Sequence, residues 1–252
     1  MDLGLKGKKV LVTGGSKGIG KGIAAGFLAE GAEVAIAARS EEGLREARTE
    51  LGNVHVIQAD LISEAERDRA HKEAVETLGS IDILINNVGG SSGSSVEETP
   101  LSSFEEAMQL NYLSAVQFSK AVLPDMKEKG SGSIINISSI FGRESGGKAT
   151  YNNAKAAMIS FTKALADEAA SFGIRVNSVA PGAILHPSGN WQKRLEENPE
   201  KINQFVKDEI PAGRFGTVEE IADVTVFMAS QRASWVTGAS LNVDGGQSNM
   251  NM

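Results

Sequence analysis

The chain has no cysteine, which removes disulfides, thiolate metal sites and cysteine nucleophiles together and suits a reducing compartment. No stretch approaches the roughly 18 apolar residues of a spanning helix. The opening MDLGLKGKKVLVTGG reaches a glycine turn too early to serve as a signal peptide. No membrane partner is expected, and the cytoplasm is the expected location. Bases are outnumbered, 25 against 32 acids, for a net charge of -7. Neutralising nucleic-acid phosphates needs clustered Lys and Arg, so no nucleic-acid partner is expected, although a local basic pocket is compatible with this balance. Histidine is scarce too. His55, His71 and His186 have no ligand-like spacing with carboxylates, so no catalytic metal is expected.

What is present points to one globular unit. The 252 residues, 41% of them hydrophobic, suit a single domain over 1–252 that buries roughly three-quarters of its unfolded surface. Short β-branched runs alternate with longer amphipathic stretches, the pattern of a parallel sheet flanked by helices. Strands are predicted over Lys9–Thr13, Glu33–Ala38, Val54–Gln58, Ile81–Asn86, Ser133–Ser138, Ile174–Val179 and Ser240–Val243. Runs such as IDILIN and GSIINIS are continuously apolar, as in strands covered on both faces. Helices are predicted near 18–30, 41–51, 63–78, 102–128, 151–172 and 217–229.

Ser63 with Glu66, and Ser102 with Glu105, have the spacing of a capping box. Gly31, Gly52, Gly79, Gly130 and Gly173 each follow a helical stretch, where a left-handed C-cap favours glycine. The predicted fold is α/β, a doubly wound parallel sheet of about seven strands with helices on both faces. Two segments stand outside this rhythm. One is GGSSGSS at Gly89–Ser95; the other is 183–216, expected to hold two short helices and to form a substrate lid. Both follow the C-terminal ends of strands, where ligands bind in open α/β sheets. Both also fit a reading as plain loops.

The first strand leads into Thr13-Gly14-Gly15-Ser16-Lys17-Gly18-Ile19-Gly20, and a helix follows. Glycines there let the chain turn sharply and let backbone approach a diphosphate at the positive end of the helix. Gly20 also allows close packing of helix on sheet. The spacing is G-x-x-x-G-x-G rather than the standard G-x-G-x-x-G, and the alternative is a tight turn with no ligand. A site preferring NAD usually carries an acid at the end of the second strand. Here that strand ends Ala37-Ala38-Arg39-Ser40. Arg39 offers a planar fork suited to a phosphate, and Lys17 is placed to approach the same group. The expected cofactor is therefore NADP(H) over NAD(H).

Tyr151-Asn152-Asn153-Ala154-Lys155 opens a predicted helix, and residues four apart share a helix face. A nearby ammonium favours the phenolate and lowers a tyrosine pKa from near 10. Tyr151 can then exchange a proton with a carbonyl or alcohol oxygen, while Lys155 has a second job available at the cofactor ribose. Ser138 and Ser139 close an upstream strand, where either can polarise the same oxygen. Asn111 lies inside a long predicted helix, a poor choice on propensity alone.

With these residues in hand, the chain resembles the short-chain dehydrogenase/reductase family over essentially its whole length. TGGSKGIG is similar to the family's TGxxxGxG turn, Asp60-Leu61 to its adenine-contacting segment, and Asn86-Asn87-Val88-Gly89 to NNAG. YNNAK is similar to YxxxK, and Pro181-Gly182 to the PG turn beside the nicotinamide. The resemblance implies a Rossmann-type fold and a tetrad of Asn111, Ser139, Tyr151 and Lys155, with Asn111 holding a water that relays protons from Lys155. It implies cofactor contacts from Gly14, Ser16, Lys17, Gly18, Ile19 and Gly20, and from Arg39, Ser40, Asp60 and Leu61. Asn87, Val88, Gly89, Tyr151, Lys155, Pro181, Gly182 and Ile184 complete that set.

Two departures stand out. Val88 replaces an alanine. His186 occupies the place of a threonine that binds the nicotinamide carboxamide, leaving that role to the Ile184 backbone. Whether His186 or Trp191 touches substrate is open.

The resulting expectation is hydride transfer between NADP(H) and a small-molecule carbonyl/alcohol pair, with 3-oxoacyl thioesters as one substrate class. A small alcohol, sugar or hydroxy acid is the alternative. A dinucleotide-binding regulator without turnover and a structural scaffold are rivals of other classes. A homotetramer is expected by analogy with the family.

Overall fold

The computed structural model describes residues 2–250. Seven strands form one sheet: β1 (Lys9–Thr13), β2 (Glu33–Ala38), β3 (Val54–Gln58), β4 (Ile83–Asn86), β5 (Gly132–Ile137), β6 (Ile174–Pro181) and β7 (Ser240–Val243). Their order is β3-β2-β1-β4-β5-β6-β7, and every pairing is parallel, with Val10 opposite both Val34 and Ile83. The order reverses between β1 and β4, which opens a crevice at their C-terminal ends.

Side chains alternate across the sheet, so each central strand feeds two cores. Val10, Val12, Ile36, Ile83 and Ile85 pack to one side with helices α1 (Gly18–Ala29) and α9 (Val218–Ala229). Leu11, Ala35, Leu84, Ile134 and Val176 pack to the other with α3 (Glu64–Leu78), α5 (Ser114–Lys129) and α6 (Ala149–Ala169). The continuous apolar runs read from the sequence are this two-sided burial. Helix α2 (Glu41–Leu51) follows β2 and packs Leu44 and Ala47 on the first core. The glycines after five helical stretches all have positive φ, from 63° at Gly130 to 80° at Gly79.

Several boundaries differ from expectation for local reasons. The stretch 102–128 is not one helix. It divides into α4 (Leu101–Met108), a wide π-turn over Gln109–Leu113, and α5. At Ser114 the ladder is one residue wide of regular: its N–H reaches back five residues to Gln109 O, while its Oγ donates to Leu110 O at 2.6 Å. The Ser102–Glu105 capping box does not form, because α4 begins earlier, at Leu101, after the extended Pro100. Ser63 does cap α3, but Glu66 turns to Arg69. The box that closes joins Thr217 and Glu220 at the head of α9. Helix α6 starts two residues before Tyr151, and β6 runs on to Pro181 because its pairing continues to Val243.

Segment 183–216 does hold two short helices, α7 (Asn190–Glu197) and α8 (Pro199–Glu209). They carry a small core of their own, in which Ala183, Val206 and Ile210 pack with Trp191, Phe205 and Phe215. No helix among the described residues is long and apolar enough to cross a membrane.

Candidate active site

One cleft of about 1290 Å³ opens above the C-terminal ends of the strands. Its first wall is backbone. The buried Thr13 hydroxyl donates to Ile85 O (3.2 Å) and accepts from the N–H groups of Asn87 (3.0 Å) and Val88 (3.2 Å), binding the end of β1 to the end of β4. Asn87 Nδ2 donates to Thr13 O and Gly14 O, which fixes the turn. Gly14 has φ +68°, and a Cβ there would meet Asn87 Nδ2 at 2.9 Å. A Cβ on Gly20 would lie 2.3 Å from Gly14 O. Lys17, the residue before α1, is extended and gives that helix no side-chain cap. The first-turn amides of α1 are therefore left for another acceptor. Ser16, Gly18 and Ile19 line the cleft at this turn.

At the end of β2, Arg39 and Ser40 line the same cleft, and Ser40 Oγ also caps α2 by accepting from Gly43 N at 3.1 Å. Arg39 and Lys17 are exposed, and among the described residues neither pairs with a carboxylate. Asp60 and Leu61 follow β3, with Asp60 Oδ1 accepting from Ile62 N. Asn87, Val88 and Gly89 leave β4 along the cleft, and Pro181, Gly182 and Ile184 leave β6 on its other side. Ala183 O and Leu185 N bond to Gly216 at 3.1 and 3.0 Å. The amide and carbonyl of Ile184 therefore turn away from that ladder.

The polar side chains converge from β5 and α6. Ser138 is tied into the sheet, its Oγ 2.6 Å from Ser178 Oγ and 3.1 Å from Val179 O. Ser139 accepts from Phe141 N (3.2 Å) and bears on Tyr151. Tyr151 lies in the first turn of α6, and Lys155 one turn on sits 5.5 Å from its ring centroid. Lys155 is 3% exposed and donates to Ile137 O at 2.8 Å.

Burial governs both groups. It raises the Tyr151 pKa, against a smaller lowering by Ser139, and it brings Lys155 down from 10.5 to about 7. The expected depression of the tyrosine by the lysine is thus not the leading influence. A largely dehydrated ammonium is itself disfavoured, and it spends a donor on Ile137 O.

Asn111 is fully buried in the π-turn and does not line the cleft. Its Oδ1 accepts from Gly90 N, and its Nδ2 donates to Gly90 O and Ala107 O. Both amide hydrogens are committed to protein, so a relay water at Asn111 has only the residue's acceptors to bind. The amide fastens Gly90, directly behind Gly89. A Cβ at Gly89 would meet Asn111 Oδ1 at 2.6 Å and Lys155 Nζ at 3.4 Å. His186 lines the cleft. Its ring lies against Gly18, within 2.7 Å of where a Cβ would be, and Lys17 adds to the burial that lowers its pKa.

Sequence reasoning passed over Thr13, Gly90 and two cleft-lining cations, Arg194 and Lys201. The hydroxyl ending a fully buried strand was a signal for the first; the others carry none.

Comparison with known proteins shows the family and the fold. The family model described as Enoyl-(Acyl carrier protein) reductase matches residues 14–248. The 3-oxoacyl-(acyl-carrier-protein) reductase of Aquifex aeolicus (strain VF5) is 35% identical over 252 residues, covering 98% of this chain and 99% of its own. L-sorbose reductase from Gluconobacter frateurii, solved with NADPH and L-sorbose, superposes with a TM-score of 0.92 at 31% identity, covering 99% of this chain and 100% of that one. A 7α-hydroxysteroid dehydrogenase solved with NADH and 7-oxoglycochenodeoxycholic acid gives 0.90 at 32% identity, covering 99% and 97%.

Proposed function

The chain belongs to the short-chain dehydrogenase/reductase family, and on that premise we propose that it is an NADP(H)-dependent oxidoreductase interconverting a carbonyl and an alcohol, with Ser139, Tyr151 and Lys155 acting at the substrate oxygen. The observation that carries this reading is the meeting of those three side chains, from β5 and α6, in the cleft walled by the glycine turn.

The residues fit a dinucleotide. The turn leaves no room for a Cβ at Gly14 or Gly20, the α1 amides lack a side-chain cap, and two cations without a carboxylate partner among the described residues, Lys17 and Arg39, line the same cleft. Arg39 and Lys17 support a phosphate on the adenosine ribose. NAD(H) is the alternative, and the two solved relatives above hold one cofactor each.

When bound, the nicotinamide supplies or accepts the hydride at the substrate carbon. Tyr151 gives a proton to the carbonyl oxygen during reduction, and its raised pKa keeps the phenol protonated for that role. The Ser139 hydroxyl donates to the same oxygen as negative charge develops there. Lys155, titrating at about 7, returns the proton to Tyr151 and directs its remaining N–H groups to the nicotinamide ribose. The Ile184 backbone holds the carboxamide. Asn111 is a positioning residue that holds Gly90 and the start of the irregular segment.

The Aquifex relative supports a 3-oxoacyl thioester as substrate. Trp191 and Arg194, reaching into the cleft from α7, favour a second reading as a small polar carbonyl. We propose the cytoplasm as its location and a homotetramer as its assembly, the family analogy being the support. Exposed Trp235, 99% accessible, and Leu241 on edge strand β7 support self-association.

The test is NADPH and NADH consumption against an acetoacetyl thioester and a panel of small ketones and sugars. Turnover that falls about 10²–10⁴-fold in Tyr151→Phe, with the circular dichroism spectrum unchanged, is expected. Binding of NADPH without turnover on any carbonyl would instead make the chain a dinucleotide-binding regulator, and failure to bind either dinucleotide would leave a structural scaffold.

A further inference from the structure

The cleft is cationic out of proportion to the chain that forms it. The protein carries a net charge of -7, yet among the described residues Asp60 is the single carboxylate residue on the cleft wall, against Lys17, Arg39, Lys148, Lys155, Arg194 and Lys201. Lys17, Arg39 and Lys155 have parts in the reading above, and Lys148 faces Glu98, whose pKa it helps lower. Arg194 and Lys201 remain. Both are exposed, and among the described residues neither has a carboxylate within 4.0 Å.

An ordinary solvated helix face would mix its charges. On helices α7 and α8 the charges on the cleft side are cations alone, Arg194 and Lys201, while Lys193 and Lys207 stay off it. The two helices contain five acids, Glu196, Glu197, Glu200, Asp208 and Glu209, and none lines the cleft. Arg194 is also held in place. Its guanidinium carbon lies 5.0 Å from the Trp191 ring centroid. Trp191 stacks on Phe205 at 4.7 Å and 22° and meets Phe215 at 5.4 Å. A guanidinium laid on an aromatic face keeps its edge N–H donors free, and that planar fork matches a carboxylate or phosphate.

We infer that the substrate carries an anionic group, a carboxylate or a phosphate, bound by Arg194 with Lys201 on the α7–α8 segment. The inference rests on the oxidoreductase reading and adds the chemical class of its substrate.

The experiment compares straight-chain oxo acids, with one to six carbons between ketone and carboxylate, with their methyl esters. It also compares acetoacetyl-coenzyme A with the phosphate-free acetoacetyl-N-acetylcysteamine. Wild type and Arg194→Gln/Lys201→Gln are assayed with both cofactors. At least one charged member should exceed its neutral counterpart tenfold or more in kcat/KM, and the double variant should erase that advantage through KM. Which pair discriminates distinguishes carboxylate from phosphate.

Equal rates for charged and neutral members would overturn the inference. So would a double variant that weakens NADPH binding while keeping the charge preference, since the two cations would then serve the cofactor. Absence of any turnover would overturn the oxidoreductase reading instead, and a second measurement then decides the inference. In a Trp235→Phe background, the fluorescence of Trp191 should respond saturably to an oxo acid or to acetoacetyl-coenzyme A, and not to the uncharged ester or N-acetylcysteamine counterpart. Loss of that response in the double variant supports the inference, and no response in the parent overturns it.

Discussion

The glycine turn and the α7–α8 segment border one cleft, but they are made of different material. The turn is a backbone device. Strand register, one buried hydroxyl and the absence of Cβ atoms put amides and a carbonyl where they are, and few sequences satisfy those constraints. The α7–α8 segment is a side-chain device, two short helices on a six-residue core that present whatever their inner faces carry. Backbone devices tolerate almost no substitution and keep one task. Side-chain devices accept many substitutions and change task with them.

The contrast is most easily broken at the turn. Gly20→Ala puts a methyl 2.3 Å from Gly14 O and 2.4 Å from Asn87 Nδ2. It should abolish measurable dinucleotide binding and cost about 1–3 kcal/mol of stability, read by calorimetry and denaturant unfolding. Normal binding would mean that the turn relaxes like a side-chain surface.

Arg39→Asp probes the polar edge of the same device. The fork for a phosphate is exchanged for an acceptor of ribose hydroxyls, so the NADPH/NADH ratio of kcat/KM should fall tenfold or more. An unchanged ratio would place Arg39 away from the phosphate.

Lys155→Met separates folding from function. Lys155 titrates at about 7 in the folded protein against 10.5 ordinarily, so the unfolded chain binds its proton more tightly. Burial of the lysine then costs nothing above about 10.5 and its full amount below about 7, and stability gained from this group rises with pH across that window. The substitution should raise stability at pH 7 by roughly 1–4 kcal/mol while removing turnover. A variant less stable than its parent at pH 7 would contradict the burial cost. The smallest effect is expected across the cleft. Trp191→Leu should raise the KM for substrate several-fold, leave the NADPH dissociation constant in place, and shift stability by about 1 kcal/mol.

The same division explains what the sequence disclosed. Strands and glycine caps were legible because burial on two faces and positive φ each demand particular residues. The glycine turn was legible because its fixed spacing demands them too. The break at Gln109–Leu113 was not, since the one poor helix former noticed there, Asn111, does not state that the hydrogen-bond ladder widens by a residue around it. Ser102 looked like a cap because its spacing to Glu105 was right, but Pro100 had already set the helix entry. The commitment of Asn111 to Gly90, 21 residues away, is a tertiary fact with no local trace. The sorting of charges on α7 and α8 depends on which way two helices roll over a cleft, and helical periodicity does not state the direction.

The wide turn also works as a counter. It holds one residue more than a regular helical turn, and each residue advances a helix by about 100°, so α4 and α5 run out of phase although they read as one stretch. No substitution can restore the phase; a one-residue deletion between 109 and 113 can. The resulting regular helix would swing Asn111 or all of α4 about a quarter of the way around its axis, and Gly90 would lose its anchor with every side chain chemically intact. At this position the length of the chain is under constraint as much as its composition.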